Sequence, residues 1–120
     1  VYSSVHTGAG TAALNGFSNL IVYDGALYAH YYEELTISKI YRSTDGTTWT
    51  EDLDLFTVFG APGEFRRGGS LVYGSALYMT AIDGGATGAN GRILRRSGGA
   101  WTSVYTGNLT GWLGVVEVDP

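Results

Sequence analysis

Cysteine is missing from all 120 residues, so neither disulfides nor thiolate metal sites can hold the fold, and redox chemistry gives no compartment. Basic residues are few. Seven Lys and Arg against eleven Asp and Glu leave a net charge of −4 and a sequence pI near 4.9. A nucleic-acid backbone would be repelled overall, and no basic stripe interleaved with aromatics offsets this. No run of about 18 apolar residues exists to span a bilayer, which excludes helical membrane insertion. Histidine is confined to His6 and His30, which stand in different parts of the chain. The Asp83 to Asn90 loop holds one acid, too few for a tight calcium site, so no metal is expected and no cofactor motif is present. The opening Val1-Tyr2-Ser3-Ser4 is neither an initiator methionine nor a signal peptide, as expected of a processed or excised piece.

What is abundant points to strands. Nineteen glycines, nine tyrosines and many Val, Leu and Thr, without a long helix-forming stretch, predict an all-β chain of short strands and tight turns. The segment Leu20 to Tyr28 returns fifty residues later as Ser70 to Tyr78. Ile40-Tyr41-Arg42-Ser43 and Trp49-Thr50 return as Ile93-Leu94-Arg95-Arg96 and Trp101-Thr102. The ends echo the repeat too, Tyr2 to Gly8 matching Trp101 to Gly107, and Gly16 to Asp24 matching Gly111 to Asp119.

Within each repeat a short apolar run, expected to be buried on both sides, precedes a tight turn at Asp24-Gly25 or Gly74-Ser75. A second strand (Ala26 to Tyr32, Ala76 to Ile82), a variable loop, a third strand (Ser38 to Ser43, Arg92 to Arg96), another tight turn and a fourth strand (Trp49 to Asp52, Trp101 to Tyr105) complete the unit. Four antiparallel strands at this period match a β-propeller blade, whose faces are buried against neighbouring blades. The expected division is a closing strand of a preceding blade at 1–8, complete blades at 16–57 and 65–107, and an opening strand of a following blade at 111–120. Two blades and two strands cannot close a ring, so the partners expected are further blades, from a longer chain or from identical subunits. A β-sandwich of duplicated hairpins is the competing architecture.

The third turn reads Ser43-Thr44-Asp45-Gly46-Thr47-Thr48-Trp49. It resembles the Asp-box, or BNR repeat, of sialidase-like propellers, with one residue fewer between Asp and Trp. The second repeat keeps Trp101 but reduces the turn to Ser97-Gly98-Gly99-Ala100. Ser43, Asp45, Gly46, Trp49 and Trp101 are therefore structural turn residues, the carboxylate binding N–H groups of its own turn and the tryptophan covering the hairpin. The resemblance implies that a binding site would lie on the opposite rim. Read as rim loops, those segments offer Tyr31, Tyr32, Glu33, Phe65, Arg66, Arg67, Asp83 and Trp112 as ligand-binding candidates. His30 and Glu34 share the first of these loops, and Phe56 and Phe59 share the connection before Phe65.

Aromatic faces and planar polar groups suit sugar rings, so a non-catalytic, lectin-like recognition or structural propeller is expected, outside the cell or on a virion surface. The small trimeric propeller lectins, in which each chain gives two blades, are similar. A sialidase-like hydrolase would need an arginine cluster, a Tyr–Glu nucleophile pair and an acid/base Asp. Arg66, Arg67, Tyr31, Glu33 and Asp83 supply those residue types, but neighbouring strand arginines point to opposite faces. No catalytic residue is assigned, and a pure assembly scaffold is the third reading.

Overall fold

Asp24 and Gly25 both take left-handed backbone angles, with φ of 49° and 73°, as a two-residue hairpin requires. They join β1 (Gly16–Tyr23) to β2 (Ala26–Glu33), which leads to β3 (Ile37–Ser43) and β4 (Thr50–Asp54). A short helix, α1 (Leu55–Phe59), precedes β5 (Phe65–Tyr73), β6 (Ala76–Asp83), β7 (Gly91–Ser97) and β8 (Ala100–Gly107). The computed structural model describes residues 16–33, 36–60, 65–83 and 91–107, with backbone alone at 65–68 and 82–83. The strands expected at 1–8 and 111–120 lie outside the described residues.

The protein is mostly β, folded as two open four-stranded antiparallel sheets of order β1-β2-β3-β4 and β5-β6-β7-β8. Their registers match the sequence repeat. Tyr23 opposes Ala26 as Tyr73 opposes Ala76, Leu27 opposes Ser43 as Leu77 opposes Arg96, and Arg42 opposes Thr50 as Arg95 opposes Thr102. Each fourth strand carries a bulge at the same place, with Asp52 the extra residue in β4 and Val104 in β8.

The helix is a departure from the all-strand expectation. Asp54 caps it by accepting the Phe56 N–H (2.9 Å), and Gly60, at φ 83°, ends it by donating to the Phe56 carbonyl (2.8 Å). Five residues are too few to show a helical period, so the element is invisible to pattern reading. Its Leu55, fully buried against Ala81 and Leu94, closes one end of the space between the sheets.

The first sheet uses one face, here called its front, to meet the second. Tyr23, Tyr28 and Ile40 pack there on Leu77 and Met79, with Ile21, Leu53 and Trp101 at the margin. Full burial of each such side chain is worth about 1.5–3 kcal/mol. On the second sheet, however, Leu77, Met79, Leu94, Arg96 and Trp101 occupy the positions of Leu27, Ala29, Tyr41, Ser43 and Trp49, which form the back of the first sheet. Front therefore meets back, and equivalent faces do not meet. The backbones approach most closely along β1 and β5.

Farther out, long polar side chains bridge the sheets. Bulged Asp52 accepts from Arg96 Nε (2.7 Å) and Nη2 (3.1 Å) and from Trp101 Nε1 (2.6 Å). The guanidinium also lies 5.1 Å from the centroid of the fully buried Tyr28 ring. On the inner side, Tyr23 Oη donates to the Ser75 carbonyl (2.8 Å).

The expectation that the first apolar run is buried on both sides needs correction. Leu20 and Val22 are each 66% exposed, because the back of β1 is not covered by the second sheet.

Removing the Asp52 carboxylate strands a largely buried guanidinium. Asp52→Ala is expected to cost about 3 kcal/mol in urea denaturation. Asp52→Val combined with Arg96→Leu should cost clearly less than either change alone, and additive losses would show that the pair does not act as a unit.

Candidate functional site

Two regions gather functional groups, one at each end of the first sheet. At the third turn, Ser43 Oγ donates to Asp45 Oδ1 (3.1 Å) and accepts from the Gly46 N–H (2.9 Å). The same Asp45 oxygen accepts from the N–H groups of Thr47 (2.9 Å) and Thr48 (2.7 Å). Gly46 supplies φ 79°, which a side chain would resist. Donation from Thr48, then from Thr47, holds the Asp45 carboxyl well below the usual carboxylate range. These bonds make Asp45 a turn-former, as its sequence setting predicts.

Trp49 is half-buried beside this turn, and its Nε1 is buried without a hydrogen-bond partner among the described residues. The equivalent nitrogen of Trp101 has Asp52. A groove of about 320 Å³ adjoins the turn, lined by Val22, Gly25, Leu27, Ser43, Asp45 and Gly46 among others.

At the opposite end, His30 to Tyr32, expected both in the second strand and among the rim-loop candidates, are strand, and so is Glu33, expected in the loop. His30 to Glu33 pair with Ile40 to Ile37 along β3, and His30, Tyr31 and Tyr32 are buried. Every position of this stretch is large, so the alternation that marks a strand is hidden. Tyr31 and Tyr32 fall on opposite faces and cannot form one platform. Tyr32 joins His30, whose Nε2 lies 2.8 Å from Ser38 Oγ on the front face.

Tyr31 lies on the back, where its hydroxyl donates to the Glu33 carboxylate and its ring stands 4.5 Å from Phe17 and 6.4 Å from Tyr41. Thr36 Oγ1 also donates to Glu33 Oε2 (3.4 Å). Beside them Lys39 Nζ donates to Glu51 (2.7 Å), which raises the lysine's pKa.

No family model, curated protein or solved structure matches this chain.

The second half of the expected rim is only partly in view. Phe65, Arg66 and Arg67, read as a connection, are the first residues of β5, opposing Asp83, Ile82 and Ala81 of β6. The strand runs on past Gly68-Gly69 because a bulge between Arg67 and Ser70 absorbs them. Phe56 and Phe59, expected in the same connection, belong to α1, with Arg92 4.9 Å above the Phe59 ring. Glu34, the rest of the Asp83 to Asn90 loop and Trp112 lie outside the described residues. Phe17 and Tyr41 were not foreseeable as partners of Tyr31, since only strand register brings them together. Among the described residues, no three His, Cys, Asp or Glu side chains gather in a way that could hold a metal.

The lowered Asp45 pKa carries a sign. Its contribution to stability is complete above the unfolded carboxylate value of about 4 and is lost as pH falls toward the folded value. Wild-type stability should therefore drop on acidification below about pH 4 more steeply than that of Asp45→Ala. A carboxyl carbon NMR titration of Asp45 with an ordinary midpoint would overturn this.

Proposed function

We propose that this chain forms part of a β-propeller that serves recognition or structure without catalysis. The two sheets are consecutive blades in this reading, and ligands, glycans or protein segments, meet the edge where β2 ends and β3 begins. The observation that carries it is the front-to-back stacking of two sheets with matching registers. A sandwich made by folding a duplicated unit on itself brings equivalent faces together, whereas a ring advances each unit by the same rotation and uses two different faces. Closer approach along β1 and β5 than on the outer side, where long side chains bridge, fits a wedge that narrows toward an axis. The bonding of Asp45 within its own turn supports kinship with Asp-box propellers.

The absence of catalysis rests on Tyr31. A nucleophilic phenol must reach a sugar carbon, yet Tyr31 is only 4% exposed and packed against Phe17 and Tyr41. Arg66 and Arg67 stand at successive positions of one strand, which does not favour convergence on one carboxylate. A hydrolase is the second reading, favoured by the Tyr31–Glu33 hydrogen bond alone.

Titration of the chain with a panel of neutral and acidic oligosaccharides, followed by amide NMR shifts, should give saturable binding with Kd below about 1 mM. Arg66→Ala with Arg67→Ala should weaken an acidic glycan about tenfold and leave assembly unchanged. No saturable shift across the panel would remove the glycan ligand. A fluorogenic sialoside should be turned over no faster by wild type than by Tyr31→Phe, and hydrolysis lost in Tyr31→Phe and Glu33→Gln would establish the hydrolase instead.

A further inference from the structure

The contact between the two sheets supplies a template for a contact that neither outer face makes among the described residues. Tyr23, at the end of β1, is 8% exposed because its ring leaves the front of the first sheet and its hydroxyl reaches the Ser75 carbonyl in the β5–β6 turn. Its equivalent on the second sheet is Tyr73, which is 57% exposed. The equivalent of the place that receives Tyr23 is the stretch around Gly25 and Leu27 on the back of the first sheet. That place is the groove lined by Val22, Gly25, Leu27, Ser43 and Gly46. Leu27 is only half-buried there, while Leu77, its counterpart under the first sheet, is fully buried. One molecule thus displays both an uncovered aromatic knob and an uncovered seat, on different faces.

The geometry points to docking of a second copy of this chain, whose groove receives Tyr73. The Tyr73 hydroxyl would then meet the turn carbonyl of Gly25 in the second copy, as Tyr23 meets Ser75. This deepens the propeller reading and rests on its front-to-back relation, though not on any glycan. The occupant is a second copy because the required surface, a β-hairpin turn beside an apolar groove at this register, is one that the chain itself carries. Knob and seat occupy different faces, so the contact is head-to-tail. It leads to a closed ring when the rotation closes and to a filament when it does not.

The new contact differs from the internal one in a predictable way. Val104, 50% exposed, stands where Asp52 stands in the first sheet, and Ser43 stands where Arg96 stands in the second. The Asp52–Arg96 pair therefore has no equivalent at these positions, although Asp45 lines the groove and Arg95 shares the face of Tyr73. Tyr105, also 50% exposed and opposite Ile93, adds apolar surface at the position of Leu53. The association therefore draws on apolar burial in place of that ion pair.

Sedimentation velocity and native mass spectrometry over about 1–100 µM test it on the whole chain. Wild type is expected to form discrete oligomers. Tyr73→Ala and Val22→Arg alter exposed side chains, so circular dichroism should show both folded, and each should raise the half-association concentration about tenfold or more. Because the contact is head-to-tail, an equimolar mixture of the two variants retains one good knob and one good seat. It should yield a one-to-one heterodimer that goes no further. Assembly of either variant at the wild-type midpoint, or a mixture that stays monomeric, overturns the Tyr73 seat while leaving the propeller reading in place. A wild-type chain that remains monomeric throughout overturns self-docking itself, and glycan binding by that monomer would show that the functional reading survives it.

Discussion

A single carboxylate placed on a bulge governs how the two sheets meet. Asp52 is the extra residue of β4, and without that insertion the strand's alternation would offer this contact no carboxylate at the same point. Turned inward, it engages Arg96 from β7 and Trp101 from β8, both belonging to the other sheet. Three charge-assisted bonds satisfy groups that would be expensive to bury alone, and the guanidinium plane also covers Tyr28. A fork-shaped donor meeting a bidentate acceptor tolerates little rotation. Apolar packing of Tyr28, Ile40, Leu77 and Met79 supplies burial, while the clamp fixes which face of each sheet is used.

Much of this was legible in the sequence, though unevenly. The recurrence of Leu20 to Tyr28 at Ser70 to Tyr78 predicts the matching registers, and Asp24-Gly25 predicts its hairpin, because both depend on neighbours in the chain. The Ser43 to Trp49 turn was legible for the same reason, since all its bonds close within six residues. What the sequence hid is what depends on distant chain segments. His30 to Tyr32 has aromatic or polar groups on both faces and reads both as strand end and as rim loop, and pairing with β1 and β3 makes it strand. Arg66 and Arg67 precede two glycines, a local stop signal that a bulge overrides. The pairing of Tyr31 with Glu33 could be suspected from their two-residue spacing, but the rings of Phe17 and Tyr41 that enclose it follow from register alone.

The two repeats also show why internal similarity need not give identical interfaces. At one strand position, the first repeat has Ser43 and the second has Arg96. Ser43 turns into its own hairpin, where its hydroxyl accepts from Gly46 and donates to Asp45. Such a short side chain cannot also cross to another sheet. Arg96 can, but it offers no acceptor with which to build the Asp45 arrangement. The second repeat accordingly has a two-glycine turn, Gly98 and Gly99 at φ 60° and 82°, which needs no side-chain support.

In the second repeat, loss of the turn aspartate thus accompanies gain of the inter-sheet arginine, two differences that lie close together in the chain. The hydroxyl that organises a local turn and the guanidinium that reaches a neighbouring sheet compete for the same site on the third strand. Whichever residue stands there decides whether that repeat stabilises itself or grips its neighbour. Asp52 completes the division, since its carboxylate faces the repeat that carries Arg96, whereas Val104, its counterpart in β8, is 50% exposed. The contact inside the chain thereby adds a polar clamp, strict in orientation, to its apolar packing, and the described outer faces lack that clamp. Such a contrast is what a unit needs if its own two sheets must never exchange partners while its outer faces remain open to association.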